Sequence, residues 1–352
     1  MGAGELPAGM KRKSVWFTGP GQVEIKEEEI EAPGEGQVLV QARLSAISPG
    51  TERLFLRGLV PEDLALDGTI DSLAGSTRYP FKYGYSSVGC VTAVGAGGSR
   101  DELGQQVFCF HPHESAYLAR ADELVPVPEG ISLEDAVLLP NMETAVNFGM
   151  DAAPLVGETV AVFGLGIVGL LTTAVLAQMP LGLLIGFDPI AERRRLAEAL
   201  GGVACFDPTP DNMETVRRLV RQAEALDGFD LVVECSGSPA ALDQAIALAG
   251  FEGRVVIGSW YGKKRVQLSL GGAFHRSRIR LISSQVSTIA GNLSGRWSKA
   301  RRLGTAWNQI RRIQPARWIT HRFPIEAACD AYQLLAENRG DAIQVVLEYP
   351  QD

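Results

Sequence analysis

The stretch Val160-Ala161-Val162-Phe163-Gly164-Leu165-Gly166-Ile167-Val168-Gly169 decides how this chain reads. A short apolar, β-prone run enters three glycines spaced GxGxxG, and an apolar helical pattern continues to Leu176. Each glycine has a physical use. Gly164 permits a tight turn, Gly166 lets a pyrophosphate approach the backbone, and Gly169 lets the helix pack closely on the strand, while the helix start at Ile167 and Val168 favours negative charge. The spacing alone is a weak signal. It gains weight because the next apolar run, LLIGF, ends on Asp188, an acid roughly 20 residues beyond the glycines, where such turns hold ribose hydroxyls.

Gly164, Gly166, Ile167, Val168, Gly169 and Asp188 are therefore candidate contacts to a dinucleotide, and a carboxylate at 188 repels a 2′-phosphate, favouring NAD over NADP. The adjoining Arg193-Arg194-Arg195 leaves NADP open, because Arg193 is in reach of an adenosine phosphate in sequence terms; the plainer reading is a solvated helix face. Ser236 and Gly237 follow the apolar run DLVVEC, and Gly258 follows GRVVI. All three fall at the carboxyl ends of expected strands, where ligands of such sheets bind.

From Val160 to Phe187 the chain carries no charge, and the stretch exceeds the ~20 residues that span a bilayer. Glycines at 164, 166 and 169, with Pro180 and Gly182, break it into strand, turn, helix and strand, so a buried α/β layer is expected and no membrane span. Helical and strand patterns then alternate through IRLISS near residue 283. Six strands alternating with helices predict a doubly wound parallel sheet over 151–286. Upstream, from Lys13 to about residue 150, short β-rich runs separated by turn residues predict a mostly antiparallel β domain, which the mixed segment 287–352 is expected to complete.

Composition agrees with two soluble domains: 352 residues, 46% hydrophobic and 21% charged, which excludes a disordered or low-complexity chain. The net charge of −8 gives no drive toward nucleic acid or anionic membrane. The five cysteines lie far apart with no CxxC, as expected for reduced thiols in the cytoplasm and against structural zinc. The opening MGAGELPAGM, with neither a basic start nor an apolar core, reads as a loose tail rather than a secretion signal.

This arrangement resembles the medium-chain dehydrogenase/reductase superfamily, the relatives of alcohol dehydrogenase. The likeness rests on the glycine turn, on Gly84-Tyr85-Ser86-Ser87-Val88-Gly89-Cys90-Val91-Thr92-Ala93-Val94-Gly95, similar to the family's GHExxGxVxxVG, and on Ile47-Ser48-Pro49-Gly50-Thr51-Glu52, similar to its ICGTD segment. The resemblance implies an α/β fold with a GroES-like β-rich catalytic domain and a Rossmann domain, a small-molecule substrate and a homodimer. Zinc-using members place a cysteine, a histidine and a later cysteine or glutamate on the metal. The matching positions here are Ser48, Tyr85 and approximately Pro140, which cannot assemble a tetrahedral zinc site, so a zinc-free member is expected. IS-x-GTE with GY-x-SVG further resembles the branch containing bacteriochlorophyllide hydroxyethyl dehydrogenase.

Without zinc, side chains must polarise or protonate the substrate oxygen. Tyr85 is the first candidate donor. By the resemblance, Thr51 stands at a proton-relay hydroxyl and Glu52 at an acid behind the metal site, with Ser48 beside them; helix capping explains Thr51 and Glu52 equally. Glu143 is a candidate base or an N-terminal helix carboxylate, and Thr144 corresponds to a threonine beside the nicotinamide. In His111-Pro112-His113-Glu114, metal binding lacks a third ligand, and His113 is a candidate acid or base. The expected activity is hydride transfer between NAD(H) and an alcohol or carbonyl. An NADPH-dependent enoyl or quinone reductase and a non-catalytic nucleotide-binding or sensing protein are the alternatives.

Overall fold

The computed structural model describes residues 10–223, 227–337 and 340–350; the first nine residues of the opening tail lie outside them, as does Leu226, where the helical pattern starting near Glu214 is expected to end. The chain forms two compact units, one from residues 1–140 with 314–352, the other from 141–313.

In the second unit, six strands pair in parallel in the order Ala204–Phe206, Leu183–Phe187, Thr159–Phe163, Phe229–Glu234, Ala249–Ile257, Arg280–Ser283. The parallel, doubly wound sheet is the one expected from the alternation of patterns, and its order reverses beside Thr159–Phe163. All five residues of this strand are buried, as a parallel strand covered on both faces requires. Phe163 and Phe187 stack at 4.4 Å across neighbouring strands, and burying each such ring contributes about 1.5–3 kcal/mol. The uncharged run is thus cut into two five-residue strands and the helix Ile167–Leu176. Among the described residues, no helix is long and apolar enough to cross a membrane.

The first unit is mostly antiparallel. Its larger sheet runs Ile319–Pro324, Gln344–Glu348, Gln37–Ile47, Ser87–Val94, Gln106–Cys109, Val125–Pro126, with Ala116–Arg120 also pairing on Gln37–Ile47. The closing apolar segment therefore rejoins the β-rich unit: Val345 pairs with Ile47 and Leu347 with Ser45. A smaller sheet joins Gln22–Glu29, Lys11–Gly19 and Phe81–Lys82.

The units divide at 140/141 and 313/314, where the sequence suggests 150 and 286. The helix Leu139–Ala152 gives most of its length to the second unit, because Phe148 packs against Gly258 and Asn147 bonds Ser284 Oγ at 3.0 Å. The helix Lys299–Ile313 joins the same unit through its buried Arg302.

Candidate functional site

The second unit carries the glycine turn. Gly164 follows directly on Phe163 with φ +88°, and a Cβ there would lie 2.6 Å from Ser236 Cα, so conformation and space both demand glycine. A Cβ on Gly169 would stand 1.8 Å from the Gly164 carbonyl oxygen, which is the close helix–strand approach expected of the third glycine. Gly166 caps the helix Ile167–Leu176 without a side chain, leaving the first-turn N–H groups at Ile167 and Val168 available to an anion.

Asp188 is buried, and its carboxylate faces this turn: Oδ2 accepts from the Leu165 N–H at 2.8 Å and Oδ1 from the Ile190 N–H at 2.9 Å. The three arginines after it do not share one solvated face. Arg193 Nη1 lies 3.7 Å from Asp188 Oδ2, Arg194 donates to the Asp188 and Pro189 carbonyls, and Arg195 alone projects outward, paired with Glu192.

Ser236 and Gly237 are held by a residue the sequence reading passed over. Glu234, fully buried at the end of its strand, accepts the N–H of Ser236 at 2.6 Å and of Gly237 at 3.0 Å, and the Tyr261 hydroxyl at 2.9 Å. Burial, with this carboxylate adding to it, pushes the Tyr261 hydroxyl pKa up. Lys264 Nζ donates to the Gly237 carbonyl at 2.8 Å. An acid closing the apolar run DLVVE just before Ser-Gly was the available signal for Glu234; nothing local marked Tyr261 or Lys264.

Glu143 also lies in this unit. It forms a buried ion pair with Arg302, 3.1 Å from Nε and 2.9 Å from Nη2, while Arg302 reaches Asn147 Oδ1 at 2.6 Å. Burial raises the Glu143 pKa and Arg302 opposes that shift. Thr144 is partly exposed beside it, and Gly258 abuts the Phe148 ring.

The first unit holds the hydroxyl and carboxylate candidates. Tyr85 Oη donates to Ser48 Oγ at 2.6 Å, and Thr51 adds a second hydrogen bond to the phenol. Burial raises the Tyr85 pKa, the two hydroxyl contacts lower it, and the Glu52 charge raises it further. Glu52, in the first turn of the short helix Thr51–Leu56, turns back so that Oε1 accepts the Ser48 N–H at 2.7 Å. Its other oxygen meets His113 Nε2 at 3.1 Å and the Tyr332 hydroxyl. Ser48, Thr51, Glu52, Tyr85 and His113 thus form one connected group.

His111 faces elsewhere. It stacks on Tyr117 at 3.8 Å, 3.7 Å from Glu114, and burial pushes its pKa down to about 4. Among the described residues, no group of three His, Cys, Asp or Glu is arranged to hold a metal ion, and the five cysteines are all free.

The family model described as zinc-binding dehydrogenase matches residues 168–305. D-guloside 3-dehydrogenase of Escherichia coli K12 is 24% identical over 310 residues, 85% of this chain and 88% of the relative. The crystal structure of RspB from Escherichia coli CFT073, described as a short chain alcohol dehydrogenase complexed with NADH, superposes with a TM-score of 0.76 at 20% identity, covering 97% of this chain and 100% of RspB. A zinc-binding dehydrogenase structure from Sinorhizobium meliloti 1021, bound to NADP, gives 0.76 at 20% identity, covering 96% and 99%. Relatives that are dehydrogenases set aside the non-catalytic alternative. With this fold and these similarities, the chain is an oxidoreductase-type enzyme similar to the zinc-type members of the medium-chain alcohol dehydrogenase-like superfamily.

Proposed function

We propose that the protein is an NAD(H)-dependent oxidoreductase that acts on a substrate alcohol or carbonyl without a catalytic zinc. The observation that carries the reading is the junction of the glycine turn with Asp188 through the Leu165 N–H, which sets a buried carboxylate beside an anion-accepting helix start. When bound, the nicotinamide supplies the hydride chemistry. This chain's own residues bind, orient and protonate. The N–H groups at Ile167 and Val168 suit a pyrophosphate, Asp188 suits ribose hydroxyls, and Glu234 holds the Ser236–Gly237 loop in register beside Gly164.

The zinc-independent part rests on donor chemistry. Ser48 and Tyr85 offer neutral hydroxyl oxygens bonded to each other, Pro140 offers no side-chain donor, and zinc sites are built from thiolate, imidazole and carboxylate. These residues do not fit the metal of the family's zinc-type members. Tyr85 takes the role of proton donor to the substrate oxygen, since burial and the Glu52 charge keep its phenol protonated at neutral pH. Glu143, bound by Arg302, serves to anchor its helix and not to carry a proton. The likeness of IS-x-GTE and GY-x-SVG to the zinc-lacking branch fits the same reading.

One observation favours a second reading. Arg193, beside Asp188, supplies a cation near the ribose position, as an NADPH-dependent enoyl or quinone reductase requires. Turnover separates the two: protein dialysed against chelator is assayed with NAD and NADP on sugar alcohols, and with NADH and NADPH on ketones, enones and quinones. Alcohol or ketone turnover with NAD(H) supports the first reading. Turnover confined to enones or quinones with NADPH replaces it, and activity that requires added zinc refutes it.

A further inference from the structure

Both ring nitrogens of the fully buried His113 are engaged: Nδ1 lies 2.6 Å from Ser45 Oγ, and Nε2 lies 3.1 Å from Glu52 Oε2. The seat for this ring is built by Gly84, whose φ is +122° and where a Cβ would stand 2.7 Å from the imidazole. The partners set the proton positions. An ionised Glu52 only accepts, so Nε2 carries the hydrogen; Nδ1 shares a hydrogen bond with the Ser45 hydroxyl, which also lies 2.7 Å from Tyr349 Oη.

A buried carboxylate is costly unless its lone pairs are filled, and Glu52 is filled by three donors: Ser48 N–H on Oε1, with His113 and the Tyr332 hydroxyl on Oε2. The Ser48 N–H thus held belongs to the same residue whose hydroxyl receives the Tyr85 proton. We propose that His113 is a positioning residue: by bridging Ser45 and Glu52 it fixes the Glu52 carboxylate on Ser48, and through Ser48 it orients the Tyr85 hydroxyl. The proposal rests on the reading of Tyr85 as proton donor. Loss of the bridge frees Glu52 to shift, and a displacement on the order of 1 Å at a reacting group costs roughly 10²-fold in rate.

The full chain, labelled with ¹³Cζ-tyrosine and ¹⁵N-histidine, provides the test by nuclear magnetic resonance. In the native protein His113 is expected to carry a proton on Nε2; a bare Nε2 overturns the proposal even if no variant folds. The Tyr85 ¹³Cζ resonance is expected to move in His113→Gln and in Tyr332→Phe, and to stay in place in His111→Gln, whose ring faces Glu114 instead. An unmoved Tyr85 resonance in a folded His113→Gln protein overturns the role. NADH fluorescence on the same samples is expected to show unchanged uptake in His113→Gln; a native protein that takes up no nucleotide refutes the functional reading, and the Tyr85 resonance still decides the positioning role. On any substrate found, His113→Gln should lower kcat roughly 10²-fold with NADH affinity retained, and a wild-type kcat contradicts it.

Discussion

The Leu165 N–H donates to Asp188 Oδ2 over 2.8 Å, so the carboxylate that suits ribose hydroxyls is also a strut of the glycine turn. Two roles on one side chain make Asp188 sensitive to any change. Hydrogen bonds to charged groups contribute about 1.5–3 kcal/mol, so Asp188→Asn should weaken NADH binding roughly 10- to 100-fold. NADPH should lose less, because the repulsion of a 2′-phosphate is removed. Fluorescence titration of both nucleotides measures the two constants, and an equal loss for both contradicts the assignment.

Arg193 should act in the opposite sense. Its guanidinium lies 3.7 Å from Asp188, and Arg193→Ala should weaken NADPH more than NADH in the same titration. No change in the ratio would remove Arg193 from the cofactor site.

Tyr85→Phe should lower turnover by roughly 10²- to 10⁴-fold, the usual contribution of a positioned acid or base, with NADH affinity unchanged. The pH dependence has a definite sign. Burial raises the Tyr85 pKa above its ordinary 10, so the donor form is populated below that value and is lost only as pH rises through it. Carbonyl reduction should therefore be flat with respect to this group from neutral pH to about 10 and fall above it. A kcat limb near neutrality that disappears in Tyr85→Phe would contradict this.

Acid stability should report His111. Its pKa is pushed down to about 4 by burial, from an ordinary 6.5, so the unfolded chain binds the extra proton first. Stability from this source is complete above about 6.5 and lost as pH falls toward 4, amounting to about 3 kcal/mol. Thermal melts across that window should flatten in His111→Gln.

Arg302→Met should strand the Glu143 carboxylate inside the second unit and cost about 3–5 kcal/mol, while the double variant with Glu143→Gln should recover part of it. Thermal unfolding of the two variants shows whether the pair is coupled; equal losses in both would mean it is not.

The doubly wound parallel class of the second unit was legible because its signals are local: one glycine turn, one acid after the next strand, and a repeated alternation of apolar runs. The β-rich unit was legible as a class, and its completion by the C-terminal strand followed from a single apolar segment. The site was legible only as residue types. His113 and Glu52 are 61 residues apart and Tyr332 is 280 residues from Glu52, so no spacing along the chain announces their meeting. Glu143 and Arg302, separated by 159 residues, hide in the same way, and a helix-start glutamate looks alike whether it pairs, caps or takes a proton.

The account stands on occupancy of the turn at residues 164–169 by a pyridine nucleotide, and titration of NADH into chelator-treated protein measures that most directly. Saturable uptake of one NADH per chain, weakened in Asp188→Asn, is the predicted result. Failure to take up NADH or NADPH, or uptake restored only by zinc, would contradict it.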